Sequence, residues 1–128
     1  MPTVTEVPVL LVMPAEPSYV RIVRLVVSSL AAELDFDVEE IEDLRIAADE
    51  LVSALIVRAD AGEPVHVEFS SGEGILMLRA TVASNAAAML DPLAAQIVSA
   101  LVATYGIDVS DGTATVRFRS HAPKGGSV

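Results

Sequence analysis

The side chains in this sequence that could do chemistry are mostly carboxylates, and many of them fall between Asp37 and Ala59. At about 100° of rotation per helical residue, these acids lie on the side opposite the apolar residues of the segment. A row of carboxylates on a helix is most often a solvated surface, and the alternative is a docking surface for a basic partner. We call this set the acidic face; it comprises Glu39, Glu42, Asp43, Asp49 and Glu50.

Metal and thiol chemistry have little support in the sequence. Cysteine is absent, which excludes disulfides, thiolate metal sites and a cysteine nucleophile. The two histidines, His66 and His121, are far apart in the chain. His66 is expected on the outer side of a strand in a polar cross-strand pair, and His121 in a C-terminal tail. We therefore predict that no metal ion is bound.

One long amphipathic helix is predicted to position the acidic face. Asp37 is a good N-cap, and Glu40 stands three residues later, where it completes a capping box. No glycine or proline interrupts the segment. Its apolar stripe, which should face the core, consists of Ile41, Leu44, Ala48, Leu51, Val52 and Leu55.

The remaining hydrophobic patterns predict an α/β fold, a two-layer sandwich with three helices packed on one face of a mixed, mostly antiparallel five-stranded sheet. A third helix should begin at Pro92 after the N-cap Asp91 and end before Gly106 as its C′ glycine. One domain is expected over residues 1–120, with residues 121–128 as a disordered tail. The predicted strands cover residues 7–13, 65–69, 75–82, 107–110 and 113–119, and the first two helices cover residues 18–34 and 37–59.

Composition narrows the class of partner. The 128-residue chain is 52% apolar, and 18 acidic residues against 8 basic ones give a formal net charge of −10. Such a charge repels nucleic acid and anionic membranes, so neither is an expected partner. No apolar run approaches the ~18 residues of a membrane span, and a basic signal-peptide start is lacking. The sequence therefore predicts a cytoplasmic protein.

The order of elements and the motif Asp43-Leu44-x-x-Ala47-x-x-Glu50 resemble the RsbW-type anti-sigma factors, serine-protein kinases of the histidine-kinase/gyrase ATPase superfamily. The helix start at Pro17-Ser18 and the Gly112-Thr113 pair before the last strand also fit. The resemblance implies this ATPase-like fold, a homodimer, a role in stress response, and two protein partners, a sigma factor and an anti-anti-sigma factor. It also implies that Glu50 is a general base and that Thr113 contacts nucleotide, although threonine after an Asp-Gly turn is equally ordinary hairpin chemistry.

The nucleotide motifs of the family are mostly missing here. Ala54 occupies the position of an asparagine that holds Mg²⁺, and its methyl group offers no oxygen to that ion. The family's Asp-x-Gly-x-Gly run corresponds to residues 80–85, which contain no acid and no glycine. The region of the glycine-rich lid, residues 84–95, has no glycine either. These departures predict a degenerate ATP site and no required cofactor.

Three functions stay open at this point. The favoured one is an anti-sigma protein that sequesters a sigma factor by direct contact and is released by an anti-anti-sigma partner. The alternative is an active Mg-ATP-dependent serine kinase that phosphorylates the anti-anti-sigma partner, with Glu50 as base and Ser53 or Asp49 as a substitute magnesium ligand. A third is a dimerisation or scaffolding unit in another regulatory pathway.

Overall fold

The computed structural model describes residues 8–84, 86 and 90–122, and its elements follow the predicted order. A short 3₁₀ turn at Pro17–Tyr19 precedes the first helix. The helices are α1 (Val20–Glu33), α2 (Val38–Ile56) and α3 (Pro92–Leu101). The strands are β1 (Val9–Met13), β2 (Val65–Gly72), β3 (Ile75–Ala83), β4 (Thr104–Ser110) and β5 (Thr113–His121).

The five strands form one open sheet in the order β1-β2-β3-β5-β4. The pairings among the described residues are all antiparallel, so the sheet is uniform where a mixed one was expected. Alternation along each strand sends one set of side chains inward and the other outward. The inward set confirms the predicted pattern of β2 and β5: Val65, Val67, Phe69, Ala114, Val116 and Phe118 are all buried.

The helices lie on the inner face of this sheet, which confirms the two-layer sandwich. α2 is central: it packs against α1 and α3 on its flanks and against β3 and β5 beneath it. The stripe predicted for α2 is buried except for the partly exposed Ile41, and Ala47 and Ile56 join it. Leu44, Leu51 and Leu55 are its largest fully buried side chains.

The capping box predicted for α2 is present. The Asp37 carboxylate accepts a hydrogen bond from the Glu40 backbone N–H, and the Glu40 carboxylate accepts one from the Asp37 N–H, both at 2.8 Å. Just before it, Asp35 adopts a left-handed conformation with φ 68°. That residue turns the chain out of α1, and the following Phe36 is buried. Local signals therefore fix the start of α2.

Both hairpins have two-residue turns with positive φ at each central position, Glu73-Gly74 and Asp111-Gly112. Two left-handed residues match the twist of antiparallel strands, and the strands consequently continue to the turns. β2 therefore extends to Gly72, where a loop had been expected from residue 70. The strand β5 likewise runs to His121, which had been placed in the tail; residues 123–128 lie outside the described part.

The prediction that Gly106 ends the third helix is wrong. α3 ends at Leu101, and Val102 already has extended dihedral angles of φ −131° and ψ 160°. Gly106 lies within β4, opposite Arg117 of β5. Pairing with β5 along the whole of Thr104–Ser110 outweighs the local helix-ending signal of one glycine.

Within the described residues, no helix is both long and apolar enough to cross a membrane.

Candidate functional site

The residues predicted to form the site lie on two elements, α2 and the start of β5. Glu50 is partly exposed on α2, three turns after the capping box. Among the described residues it has no hydrogen-bond or ion-pair partner. Its carboxylate is therefore free to accept a proton or to meet a partner protein.

Asp49, next to it, is already engaged on both oxygens. Arg24 of α1 donates to Asp49 Oδ2 at 3.1 Å, and Ser53 Oγ donates to Asp49 Oδ1 at 3.2 Å. The contact with Arg24 connects α1 to α2 across 25 residues of sequence. Asp49 and Ser53 were the candidate substitutes for the missing magnesium ligand, and a metal would have to break this arrangement to use either of them.

Ala54 is partly exposed, and its side chain contributes only a methyl group. The backbone carbonyl of Ala54 accepts a hydrogen bond from the Arg58 guanidinium at 2.9 Å. The position that would hold a magnesium ligand in the family thus has a cation beside it.

Thr113 begins β5, opposite Ala83 at the end of β3, and is exposed. The neighbouring Ser84 is fully buried: its N–H donates to the Gly112 carbonyl at 2.9 Å, and its Oγ accepts from the Ala86 N–H at 3.1 Å. The Asp60 N–H donates to the Ala83 carbonyl at 2.9 Å, which ties the chain after α2 to the same sheet end. Ser84 therefore serves a structural role, because its hydrogen bonds connect the end of β3 to Gly112 and Ala86.

Of the two stretches that the resemblance assigns to nucleotide, residues 80–85 begin in β3, and residues 84–95 cover the connection to α3 and its first turn. Residue 85 and residues 87–89 lie outside the described part of the chain. No recorded hydrogen bond joins Glu50 to Thr113 within the described part. The structure thus places both candidates but joins them by no hydrogen bond within the described residues.

The acidic face runs along α2, as predicted. Glu39 and Glu42 are exposed, and the Glu42 carboxylate accepts from Arg45 at 3.2 Å. Asp43 is partly exposed at the rim of a cavity of about 170 Å³ between α2, α3 and β5. Three acids of the face, Glu39, Asp43 and Glu50, have no partner among the described residues.

The histidines are separated in the structure. His66 lies on the outer side of β2, opposite Val12 and Thr81, and His121 ends β5. Within the described residues no three histidine, cysteine, aspartate or glutamate side chains are grouped to hold a metal ion.

Sequence reasoning missed the two arginines that shape this region. They are Arg24 of α1 and Arg58, which follows the end of α2. The Arg58 contact has a local signal, because residues i and i+4 of a helix are neighbours. The Arg24–Asp49 contact has none, since it depends on how α1 and α2 pack.

Parts of the chain are similar in sequence to known proteins. No family model matches the chain. The serine-protein kinase RsbW of Bacillus pumilus is 42% identical over 50 residues, which are 39% of this chain and 31% of that protein. The serine-protein kinase RsbW of Listeria innocua is 37% identical over 70 residues, 52% of this chain and 45% of that protein.

The fold has a solved counterpart. A crystal structure of the RsbU and RsbW domains of a Mycobacterium tuberculosis protein superposes with a TM-score of 0.67 at 19% identity, covering 90% of this chain and 32% of that one. The chain is RsbW-like. Its matches span less than half the length of the curated relatives, and the solved structure supports the fold alone.

Proposed function

We propose that this RsbW-like chain is an anti-sigma regulatory protein that holds a sigma factor by direct contact, released when an anti-anti-sigma protein competes for it. The observation that carries the proposal is Ala54, a methyl group at the family's magnesium position with Arg58 against its backbone. Phosphoryl transfer depends on a magnesium ion that neutralises the phosphates, so the lack of a ligand at this position favours a function by binding. Such a role belongs in the cytoplasm, with the transcription machinery.

The acidic face of α2 is the proposed contact with the sigma factor. Its unpartnered carboxylates, Glu39, Asp43 and Glu50, offer negative charge to a basic partner without first breaking an internal bond. Asp49 and Glu42 already have arginine partners and contribute less. Charge complementarity of this kind raises association rates and sets specificity.

A homodimer is proposed through the edge strand β1. Among the described residues its outer edge has no neighbour in the sheet, and Val9, Leu10 and Val12 are 45%, 70% and 60% exposed. An exposed apolar edge strand readily pairs with another strand. Light scattering of the purified chain measures the mass, and a charged substitution at Leu10 should shift a dimer towards the monomer.

The binding test uses a double charge reversal, Glu39→Lys with Glu50→Lys. We expect affinity for the cognate sigma factor to fall about tenfold or more, because two attractive charges become repulsive. The matched control is Glu33→Lys with Glu63→Lys, which makes the same change of net charge at exposed acids away from the acidic face. Equal loss in both variants would place the interface elsewhere, and no binding by the unaltered protein to any candidate sigma factor would reject the proposal.

The second candidate, a Mg-ATP-dependent serine kinase, is favoured by the names of the relatives and by the free Glu50 carboxylate. The melting temperature with and without millimolar Mg-ATP separates the two functions. A ligand at 100 times its Kd stabilises the native state by about 2.7 kcal/mol, a shift of several degrees for a domain of this size.

We expect no shift in the unaltered protein. Ala54→Asn restores the missing amide oxygen and serves as the matched variant; a shift in that variant alone would identify residue 54 as the decisive loss. A shift in the unaltered protein, with phosphate transfer that Glu50→Ala removes, would establish the kinase instead.

A further inference from the structure

The outer face of the sheet carries a cluster of arginines that the proposed function does not use. The three helices pack on the inner face, and no described element covers the outer one. Arg79 of β3 and Arg117 and Arg119 of β5 are all exposed there. They are three of the eight basic residues in a chain of net charge −10, gathered on one surface. We call this set the arginine cluster.

The register of the strands brings two of these arginines to directly opposed positions. Arg79 pairs with Arg117 across the β3–β5 ladder, and Arg119 follows Arg117 by two residues on the same face. Like charges at directly opposed positions destabilise a sheet. Glu68, opposite Arg79 on β2, forms no ion pair with it, and none of the three arginines has an acidic partner among the described residues.

Gly106 leaves room for one of the guanidinium groups. A Cβ atom built on Gly106 would lie 2.5 Å from Arg117 Cζ, so the guanidinium rests directly on the glycine backbone. The φ angle of Gly106 is not in the left-handed region, so the backbone conformation does not require glycine. A glycine inside a strand weakens it, and here the glycine makes room for the Arg117 side chain.

The arginine cluster lines an open cavity of about 470 Å³ together with Glu68, Met77 and Thr104. The cavity crosses β2, β3, β5 and β4 as a shallow groove on the sheet. Arg117 and Arg119 are separated by the two-residue repeat of a strand, about 7 Å. Alternate side chains of an extended peptide have that same spacing, whereas neighbours at i+3 and i+4 on a helix face lie closer, about 5–6 Å apart.

We propose that this groove binds an extended, carboxylate-rich segment of a partner protein. Carboxylates at alternate positions of the segment would each accept two parallel hydrogen bonds from Arg117 and Arg119, and Arg79 would add a third positive charge. Binding would relieve the repulsion between Arg79 and Arg117. The surface is separate from α2, so it adds a second contact to the proposed anti-sigma function.

A second copy of this chain is a poorer occupant. Its concentrated acids lie on α2, where they have helical spacing. A contact between the α2 of one copy and the sheet of another would be head-to-tail, which yields rings or open chains of molecules rather than a dimer. The net charge of −10 repels an acidic partner at long range, but physiological salt screens charges beyond about 8 Å and leaves the contact itself.

The test is fluorescence anisotropy of a labelled twelve-residue peptide in which glutamate alternates with threonine, titrated with the full chain. A peptide of the same composition with its glutamates grouped in one block is the matched control. We expect the alternating peptide to bind more tightly, with affinity falling as salt rises. Equal binding of both peptides would show attraction without a site and would reject the proposal.

Three variants locate the contact. Arg117→Gln with Arg119→Gln should weaken peptide binding about tenfold or more, and the exposed Arg21→Gln of α1 should leave it unchanged. Gly106→Ala should weaken binding with no change of net charge, because the added methyl group displaces the Arg117 guanidinium. Circular dichroism confirms that each variant is folded.

Other results would overturn the proposal. Unchanged binding in the double variant, tighter binding of a single-stranded oligonucleotide of equal charge, or self-association that the double variant abolishes would each assign the groove to another occupant or to none. The Glu39→Lys, Glu50→Lys protein should still bind the peptide. If this variant loses binding to the sigma factor but keeps binding to the peptide, the two surfaces bind independently.

Discussion

The acidic face of α2 and the arginine cluster of the sheet are both charged surfaces, but their charges stand in different relations to the fold. Two of the five acids have arginine partners: Glu42 pairs with Arg45, and Asp49 with Arg24. The three arginines have none among the described residues, and two of them oppose each other. A simple count of charged residues therefore overestimates the number of unpartnered charges on the acidic face and gives no sign that those on the sheet are all unpartnered among the described residues.

This difference shows which charges the fold itself explains. An acid that caps a helix or joins two helices contributes to stability, and removing it should lower the melting temperature. A cation without a partner, held beside another cation, contributes nothing to stability or lowers it. Measuring the melting temperature of charge variants can therefore distinguish charges that stabilise the fold from charges that are available to bind a ligand.

The largest effect is expected at the core that both surfaces share. Leu51 of α2 is fully buried, and Leu51→Asp would place an unpaired charge between the helices and the sheet at a cost of several kcal/mol. The variant should be unfolded by circular dichroism. Val57→Asp is the matched control, because Val57 is 73% exposed just after the end of α2. A cooperative melt of Leu51→Asp would show that the two surfaces do not depend on one core.

The sequence predicted the fold where the signals are local. The capping box of α2 uses residues three apart, and the strands β2 and β5 show their alternation within nine residues or fewer. The Gly106 prediction failed because pairing of β4 with β5 is a long-range contact that overrides a local signal. In the same way, the arginine cluster is visible only when the register that opposes Arg79 to Arg117 is known.

In the candidate site, too, local features could be predicted from the sequence and long-range contacts could not. The acidic face follows from helical periodicity, and its five acids lie on α2 with exposed or partly exposed side chains. Which acids are free could not be predicted, since Asp49 is satisfied by Arg24, 25 residues earlier on another helix. Glu50, its immediate neighbour in sequence, has no such partner among the described residues.

A smaller change in stability is expected from substitutions at Asp49 and Glu50. Asp49→Ala removes the contacts to Arg24 and Ser53, and because the pair is partly exposed the loss should be about 0.5–1 kcal/mol. Glu50→Ala, the matched control one residue away, should change the free energy of unfolding by less than about 0.5 kcal/mol. Urea unfolding measures both. Equal losses would remove the distinction between partnered and free acids on the acidic face.

The smallest change in stability should be a gain, and it is expected from a substitution in the arginine cluster. Arg79→Gln removes one of two directly opposed cations and keeps the aliphatic part of the side chain, so we expect stabilisation by a few tenths of a kcal/mol. The gain should shrink as salt screens the repulsion in the unaltered protein. Arg21→Gln, an exposed arginine on α1, is the control for lost charge alone. In a chain of net charge −10, removing a cation should by itself be unfavourable, so a gain at Arg79 that is absent at Arg21 identifies local repulsion as its source. A loss at Arg79 would mean that this cation is satisfied within the fold and that the sheet surface is no different from α2.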